Sequence, residues 1–149
     1  MSTIISSIIE WNNKNIGCVD GTFFSYRGLF LMTNLIYFLP LLLYFNISTV
    51  LIAIMGVISF IFHGHQCIMN VNRKCTVKLM WADVILTSSL GLVLFYQNIK
   101  NVNIYCYIVM ILALIFYFYG TNKLGQKLYM VCHGLWHILT GGLLLYLVI

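Results

Sequence analysis

The sequence predicts an all-α integral membrane protein, a bundle of about five transmembrane helices. Of its 149 residues, 62% are hydrophobic and only 7% are charged, whereas a soluble domain carries about a quarter charged residues. The hydrophobic residues form long unbroken segments rather than an alternating pattern. Because backbone polar groups must pair internally inside a bilayer, such segments indicate helices rather than a barrel.

Five apolar segments are long enough to be considered as spans. They cover residues 29–46, 47–63, 79–97, 104–119 and 128–149. Since about 20 helical residues cross the hydrocarbon core, the short second and fourth spans are expected to cross with little tilt. Pro40 predicts a kink in the first span. Residues 29–149 are therefore predicted to form one transmembrane domain, preceded by an interfacial segment at residues 1–28.

Lysine and arginine are distributed unequally between the two sides of this predicted bundle. Five spans place the N-terminus, the second loop and the fourth loop on one side of the membrane. Lys100 is the only basic residue on the other side. The basic residues of the first side are Lys14, Arg27, Arg73, Lys74, Lys78, Lys123 and Lys127. The positive-inside rule then predicts a multi-pass protein with a cytosolic N-terminus in an unspecified organelle. The net charge of +5 comes from basic residues between the spans, so we interpret it as a sign of membrane topology. No nucleic-acid partner is expected.

The cysteines and the N-terminus exclude two other classes of protein. Five cysteines are present, with no CxxC pair: Cys18, Cys67, Cys75, Cys106 and Cys132. The odd count predicts free thiols rather than a disulfide framework, although Cys67 and Cys75 could pair across one loop. The N-terminus lacks a basic n-region, so it does not resemble a cleaved signal peptide.

Polar residues of catalytic type occupy three distant positions in the apolar spans. They read Ser59-x-x-x-His63, Asp83 and His133-x-x-x-His137. A spacing of four places both members of a pair on one helix face. The end of the second span and the starts of the third and fifth spans share the cytosolic side, so these side chains should meet within about two helical turns of it. Ionisable groups are costly in hydrocarbon, which predicts a functional site.

The residue types predict metal chemistry. Three neutral imidazoles around Zn²⁺ leave a fourth position for water, the arrangement of catalytic zinc sites. We therefore expect His63, His133 and His137 to bind zinc, which lowers the pKa of bound water to about 7. Asp83 is expected to act as general base and then to protonate the leaving group. Ser59 is expected to hydrogen-bond the water or the oxyanion.

Each feature also has an ordinary structural explanation. His63 alone could be a packed or interfacial residue, and an HxxxH pair could hydrogen-bond between helices. Asp83 could form a salt-bridged helix cap with a nearby basic residue. His65 is expected to be a solvated neighbour in the second loop. A b-type haem would use one histidine from each of two helices and would leave Ser59 and Asp83 without roles.

Taken together, these motifs resemble the CREST superfamily of seven-helix membrane hydrolases. That group includes alkaline ceramidases, adiponectin-type receptors and the GPI-anchor phospholipase/myomaker branch. Its hallmark is SxxxH on the second span, Asp on the third and HxxxH on the last, as in this chain. In addition, His133–Gly141 is similar to the ceramidase pattern HxxWHxLTG, and Thr33–Pro40 resembles the first span of the ceramidase and phospholipase branches.

The resemblance implies a zinc-dependent intramembrane lipid hydrolase on a shortened, five-helix form of the seven-helix fold. Losing two helices preserves the side from which the last span enters. The last span favours amide cleavage of ceramide-like lipids, whereas the twenty-residue gap between His63 and Asp83 is nearer the phospholipase/myomaker and receptor branches. A phospholipase A2-like ester hydrolase and a non-catalytic zinc-containing receptor or interaction protein are the alternatives. The ceramidase calcium motif is only faintly echoed by Glu10 and Asp20, and the oligomeric state is left open.

Overall fold

The computed structural model describes residues 26–67, 73–121 and 126–149, and all regular structure in these ranges is helical. The predicted all-α class is thus confirmed for this part of the chain. In order, the elements are α1 (Tyr26–Met32), a 3-10 helix (Thr33–Phe38), α2 (Leu39–Leu43), α3 (Ile47–Cys67), α4 (Arg73–Gln97), a 3-10 turn (Ile99–Asn101), α5 (Ile104–Thr121) and α6 (Gln126–Val148). The first three follow one another without a break and together are called the N-terminal rod.

Within the described ranges, three helices are long and apolar enough to cross a membrane. These stretches are Ile47–Gln66, Lys78–Gln97 and Leu128–Val148, and the apolar helices Gly28–Leu43 and Ile104–Tyr119 are shorter. Two helices extend beyond the predicted second and third spans, because polar residues end an apolar segment without ending the helix. Helix α3 continues past His63, and α4 begins before Leu79. His65 is accordingly a half-buried residue of α3, so its predicted position in a loop was wrong.

Pro40 explains why the N-terminal rod changes its helical form. A proline has no backbone N–H, so Pro40 cannot donate the α-helical bond to the carbonyl of Ile36. The backbone N–H of Leu39 donates to that carbonyl instead, which is the tighter i to i−3 pattern of a 3-10 helix. In place of the predicted kink at Pro40, the structure has a 3-10 segment, Thr33–Phe38, just before the proline. Its six residues include Thr33 and Tyr37, whose contacts are described below.

The start of α3 is fixed by two reciprocal hydrogen bonds. The backbone N–H of Thr49 donates to Asn46 Oδ1 (3.0 Å), and the backbone N–H of Asn46 donates to Thr49 Oγ1 (3.0 Å). A similar cap begins α5, where Asn103 Oδ1 accepts from the backbone N–H of Tyr105 (2.9 Å). Such side chains satisfy the free N–H groups at a helix start and so set where the helix begins.

The N-terminal rod lies between α3 and α6, with α4 packed on α3 and α5 packed on α6. Two glycines allow this close packing. A Cβ atom at Gly56 would lie 2.8 Å from Tyr37 Cβ, and one at Gly141 would lie 2.5 Å from Ile36 Cγ2. The rod is therefore held where its 3-10 segment faces both α3 and α6.

Contacts between the elements define two ends of the bundle. The starts of the N-terminal rod, α4 and α6 lie together with the end of α3, as the pairs Phe30–His63, Phe30–Tyr129 and Ser59–Asp83 require. We call this the basic end, because α4 begins there with Arg73, Lys74 and, in its second turn, Lys78. Toward the opposite, distal end lies an apolar core of Tyr37, Ile52, Met55, Leu94 and Leu144.

Candidate metal centre

Three histidines from two helices converge near the basic end. His63 comes from α3, and His133 and His137 lie one turn apart on α6. One ligand nitrogen from each residue lies within 4.8 Å of the other two. All three side chains are buried, with exposed fractions of 0%, 8% and 2% respectively. Their convergence was predicted from the sequence, and the structure brings them together.

A glutamine fixes the orientation of His63. The ring nitrogen Nδ1 of His63 lies 2.9 Å from Gln66 Oε1, one turn further along α3. An amide oxygen only accepts, so Nδ1 carries the proton and donates it. The other nitrogen, Nε2, is then unprotonated and carries a lone pair. It is buried without a hydrogen-bond partner among the described residues.

A threonine of the N-terminal rod does the same for His137. Thr33 Oγ1 lies 2.9 Å from His137 Nδ1 and donates its own hydrogen to the carbonyl of Phe30 (2.6 Å). Because that hydrogen is already used, Thr33 Oγ1 accepts from His137 Nδ1–H. The Nε2 lone pair of His137 is thereby left for another partner. Histidine ligands of metal ions are commonly fixed in this way by a group that accepts their second N–H.

His133 completes the group in a mainly aromatic setting. Its ring lies 5.1 Å from that of Tyr129 and 5.6 Å from that of Tyr117, between centroids. Its Nδ1 is buried and has no hydrogen-bond partner within the described ranges. Buried polar atoms are nearly always paired, so unpaired nitrogens on His63 and His133 call for a missing partner. Three neutral imidazoles, each with one unprotonated nitrogen, could hold a metal ion.

Asp83 and Ser59 form a hydrogen-bonded pair beside the histidines. Ser59 lies one turn before His63 on α3 and is hydrogen-bonded to the Asp83 side chain on α4. Since a carboxylate only accepts, the serine hydroxyl donates. The other carboxylate oxygen, Asp83 Oδ1, is buried with no partner in the described part of the chain. Ser59 thus holds the carboxylate, a contact that the sequence did not predict.

Two tyrosines lie within electrostatic range of this carboxylate. Tyr37 and Tyr117 are both close enough to Asp83 to interact with it electrostatically. The hydroxyl of Tyr37 lies 2.7 Å from Thr140 Oγ1, which itself donates to the carbonyl of Trp136 (2.7 Å). Tyr37 therefore donates to Thr140, and a chain of hydrogen bonds ties the N-terminal rod to α6 next to the histidines.

Sequence reasoning missed the residues that orient the histidines. Gln66 follows His63 by three residues, a helical spacing that would have been informative had α3 been extended past His63. Thr33 entered only through the resemblance of its segment, with no role, because its contact with His137 joins residues 104 positions apart. Among the cysteine side chains that the structure describes, Cys75, Cys106 and Cys132 are free, as predicted, whereas Cys18 lies outside the described residues.

Comparison of the chain with protein-family models, with curated proteins and with solved structures gives no significant match in any of the three.

Proposed function

We propose that the protein is a zinc-dependent intramembrane hydrolase that cleaves an acyl bond in a lipid. The observation that carries the proposal is the buried group of three histidines, two of them oriented by Gln66 and Thr33. Beside it lies a buried carboxylate with one unpaired oxygen. Costly polar groups inside an apolar bundle are retained for function rather than for packing.

The proposal includes insertion of all five apolar helical segments in a membrane. Its support is the length and apolarity of three helices, together with two shorter apolar ones. Large apolar side chains are exposed along the outer helices, among them Ile85, Leu92, Ile111 and Phe118. Exposed apolar surface of this extent suits lipid contact. The positive-inside rule then orients the basic end toward the cytosol.

The residues of the site have separate roles in this proposal. His63, His133 and His137 would hold the zinc ion, which supplies a Lewis acid and activates water near neutral pH. Asp83 accepts a proton at its free carboxylate oxygen and returns it to the leaving group. Ser59 positions that carboxylate through its hydrogen bond. The Tyr37–Thr140 hydrogen bond keeps the N-terminal rod against α6 while this happens.

For the substrate, we propose a ceramide-like lipid whose amide bond is cleaved. The support is the resemblance of His133–Gly141 to the last span of the alkaline ceramidases. A phospholipid ester is the second substrate class, because the His63–Asp83 separation is nearer the phospholipase branch. A haem protein is disfavoured, since imidazole centroids 4.9–5.0 Å apart leave no space for a porphyrin between them.

The test has two stages on purified full-length protein. Metal analysis of the wild type is expected to give one zinc per chain, and His63→Ala should give none. Zinc-loaded wild type is then incubated with ceramide, phosphatidylcholine and a non-hydrolysable ether lipid, and fatty-acid release is measured. Release from ceramide, abolished in His63→Ala, supports the proposal, and release from phosphatidylcholine alone selects the phospholipase class. Zinc without turnover of either lipid would instead indicate a receptor or interaction protein.

A further inference from the structure

Asn34 carries a buried hydrogen-bond acceptor that no described residue satisfies. It lies in the 3-10 segment of the N-terminal rod and is 0% exposed. Its nitrogen Nδ2 donates to the carbonyl of Leu31 (3.2 Å), which identifies the other terminal atom of the amide as the oxygen. That oxygen, Oδ1, is buried and has no hydrogen-bond partner among the described residues. Because buried polar atoms are nearly always paired, Asn34 Oδ1 calls for a donor.

The position of Asn34 follows from the contacts of the rod with α3. Phe30, Asn34 and Tyr37 are buried and are spaced by four and three residues, so they lie on one side of the rod. Phe30 lies against His63, with ring centroids 4.7 Å apart. Further along the rod, the Asn34 carbonyl oxygen and Tyr37 Cβ lie 3.5 and 2.8 Å from a Cβ placed on Gly56. The rod is therefore antiparallel to α3, and Asn34 lies beside the stretch of α3 between Gly56 and His63.

Ser59 is the residue of α3 at this level. It lies four residues before His63 and three after Gly56, so the three share one helix face. Asn34 divides the rod between the corresponding contacts in the same proportion, which places it opposite Ser59. Ser59 donates to Asp83, whose Oδ1 is also buried without a partner in the described ranges. Asn34 Oδ1 thus belongs to the same buried region as the proposed reaction.

The proposed reaction uses the other unpaired atoms here but not Asn34. His63 Nε2 would bind the zinc ion, and Asp83 Oδ1 would take a proton from water. An amide oxygen is a neutral acceptor, which suits a neutral N–H or O–H donor. The amide of an N-acyl lipid has an N–H directly beside the carbonyl that is attacked. The ester of an O-acyl lipid has no donor at this position.

We propose that Asn34 Oδ1 accepts a hydrogen bond from the N–H of the scissile amide and so selects N-acyl lipids over O-acyl lipids. This inference rests on the proposed hydrolase function and names the residue that sets its substrate class. An ester in the same place would leave Oδ1 unpaired and would bring its own oxygen against it. A site built around a buried hydrogen bond discriminates strongly against a ligand that lacks the donor.

Asn34→Thr separates this recognition from packing. Threonine has a similar volume, and its hydroxyl can donate to the carbonyl of Leu31, as Thr33 donates to that of Phe30 at the same spacing (2.6 Å). It has no acceptor at the position of Oδ1. Hydrolysis of a ceramide and of its analogue with oxygen in place of the N–H is measured in zinc-loaded wild type and variant. The ratio of kcat/KM for the amide to that for the ester should fall by about tenfold or more in Asn34→Thr.

Thr49→Val is the matched control for loss of a buried polar group. Thr49 is also 0% exposed, but it lies at the start of α3, where its hydroxyl donates to the carbonyl of Tyr44 (2.7 Å). Its ratio should equal that of the wild type. If Asn34→Thr leaves the ratio unchanged, lowers amide and ester hydrolysis equally, or is matched by Thr49→Val, the inference is wrong. Should Asn34→Thr not fold, Asn34→Ser takes its place with the same expectation. Wild-type protein that cleaves neither lipid overturns the proposed function as well, whereas turnover with an unchanged ratio overturns the inference alone.

Discussion

Helices α3 and α6, which flank the N-terminal rod, contribute to two very different regions along their length. Toward the distal end, Ile52 and Met55 of α3 meet Leu144 of α6 in an apolar core. Toward the basic end, the same two helices present His63, His133 and His137 to each other. One region is therefore mainly apolar, whereas the other consists of buried ionisable side chains.

The two regions also differ in what they leave unsatisfied. The distal cluster is built of side chains that are apolar or, like Tyr37, hydrogen-bonded. Around the histidines, Nδ1 of His63 and Nδ1 of His137 are paired with Gln66 and Thr33, whereas His63 Nε2 and His133 Nδ1 have no partner among the described residues. Each unpaired buried group costs about 1–3 kcal/mol. Unpaired nitrogens on two of three clustered histidines are what a preorganised ion site would show.

The largest expected effect comes from removing one ligand. His137→Ala should abolish zinc binding and turnover, because two imidazoles cannot complete the proposed tripod. Leu144→Ala makes a comparable hole in the distal core and should lower thermal stability by about 2–5 kcal/mol while zinc stays bound. Metal analysis and thermal unfolding of both variants compare the two regions directly. Equal zinc content in the two variants would remove the distinction between them.

A second prediction separates ion binding from chemistry at the basic end. Asp83→Asn keeps the shape of the side chain but cannot accept a proton at the free oxygen. Zinc content should be unchanged, and kcat should fall by about 10²–10⁴ because general base catalysis is lost. Ser88→Ala on the exposed face of the same helix is the matched control and should behave as wild type. Loss of zinc from Asp83→Asn would show the carboxylate to be a ligand instead.

Third, the threonine of the N-terminal rod should tune the affinity of the site. Thr33→Val removes the oxygen that accepts from His137 Nδ1–H and should weaken zinc binding by about 10–100-fold. Thr33→Ser retains a hydroxyl and should bind nearly as tightly as the wild type. Competition with a chromogenic zinc chelator measures both constants. If the valine and serine variants bind alike, Thr33 does not orient the ligand.

The smallest effect concerns packing between the rod and α6. Gly141→Ala would bring a Cβ to 2.5 Å from Ile36 Cγ2 and should destabilise the protein by about 1–3 kcal/mol. Its neighbour Gly142 has no atom within 4 Å of such a Cβ, so Gly142→Ala should be neutral or stabilising by up to about 1 kcal/mol. Thermal unfolding in detergent compares the two adjacent variants. A smaller loss at Gly141 than at Gly142 would show that the rod is not packed as described.

The sequence was most informative where one helix carries its own signal. Long apolar segments predicted the helices, and HxxxH at residues 133–137 predicted two side chains on one face. The depth of His63 followed from its place near the end of an apolar segment. These features depend on helical periodicity and on the length of a span, both of which are local. For that reason the convergence of His63, His133 and His137 could be predicted from the sequence.

Contacts across the bundle were not predictable in the same way. Thr33 reaches His137 only because a 3-10 segment before Pro40 sets the rotation of the rod, and because Gly56 and Gly141 allow it to approach. Gln66 lies beyond the predicted second span, which ends at His63 because hydropathy falls there, although the helix continues to Cys67. The Ser59–Asp83 bond likewise depends on how α4 rotates against α3. Hydropathy carries no information about such rotations.

The central claim is that three histidines of this chain hold one zinc ion, and X-ray absorption at the zinc edge tests it most directly. Zinc-loaded wild-type protein should give three imidazole nitrogens at about 2.0–2.1 Å and one oxygen ligand. The nitrogen signal should fall in His133→Ala loaded at high zinc. A protein that retains no zinc, or sulfur scattering at about 2.3 Å from a cysteine such as the buried Cys132, would contradict the account.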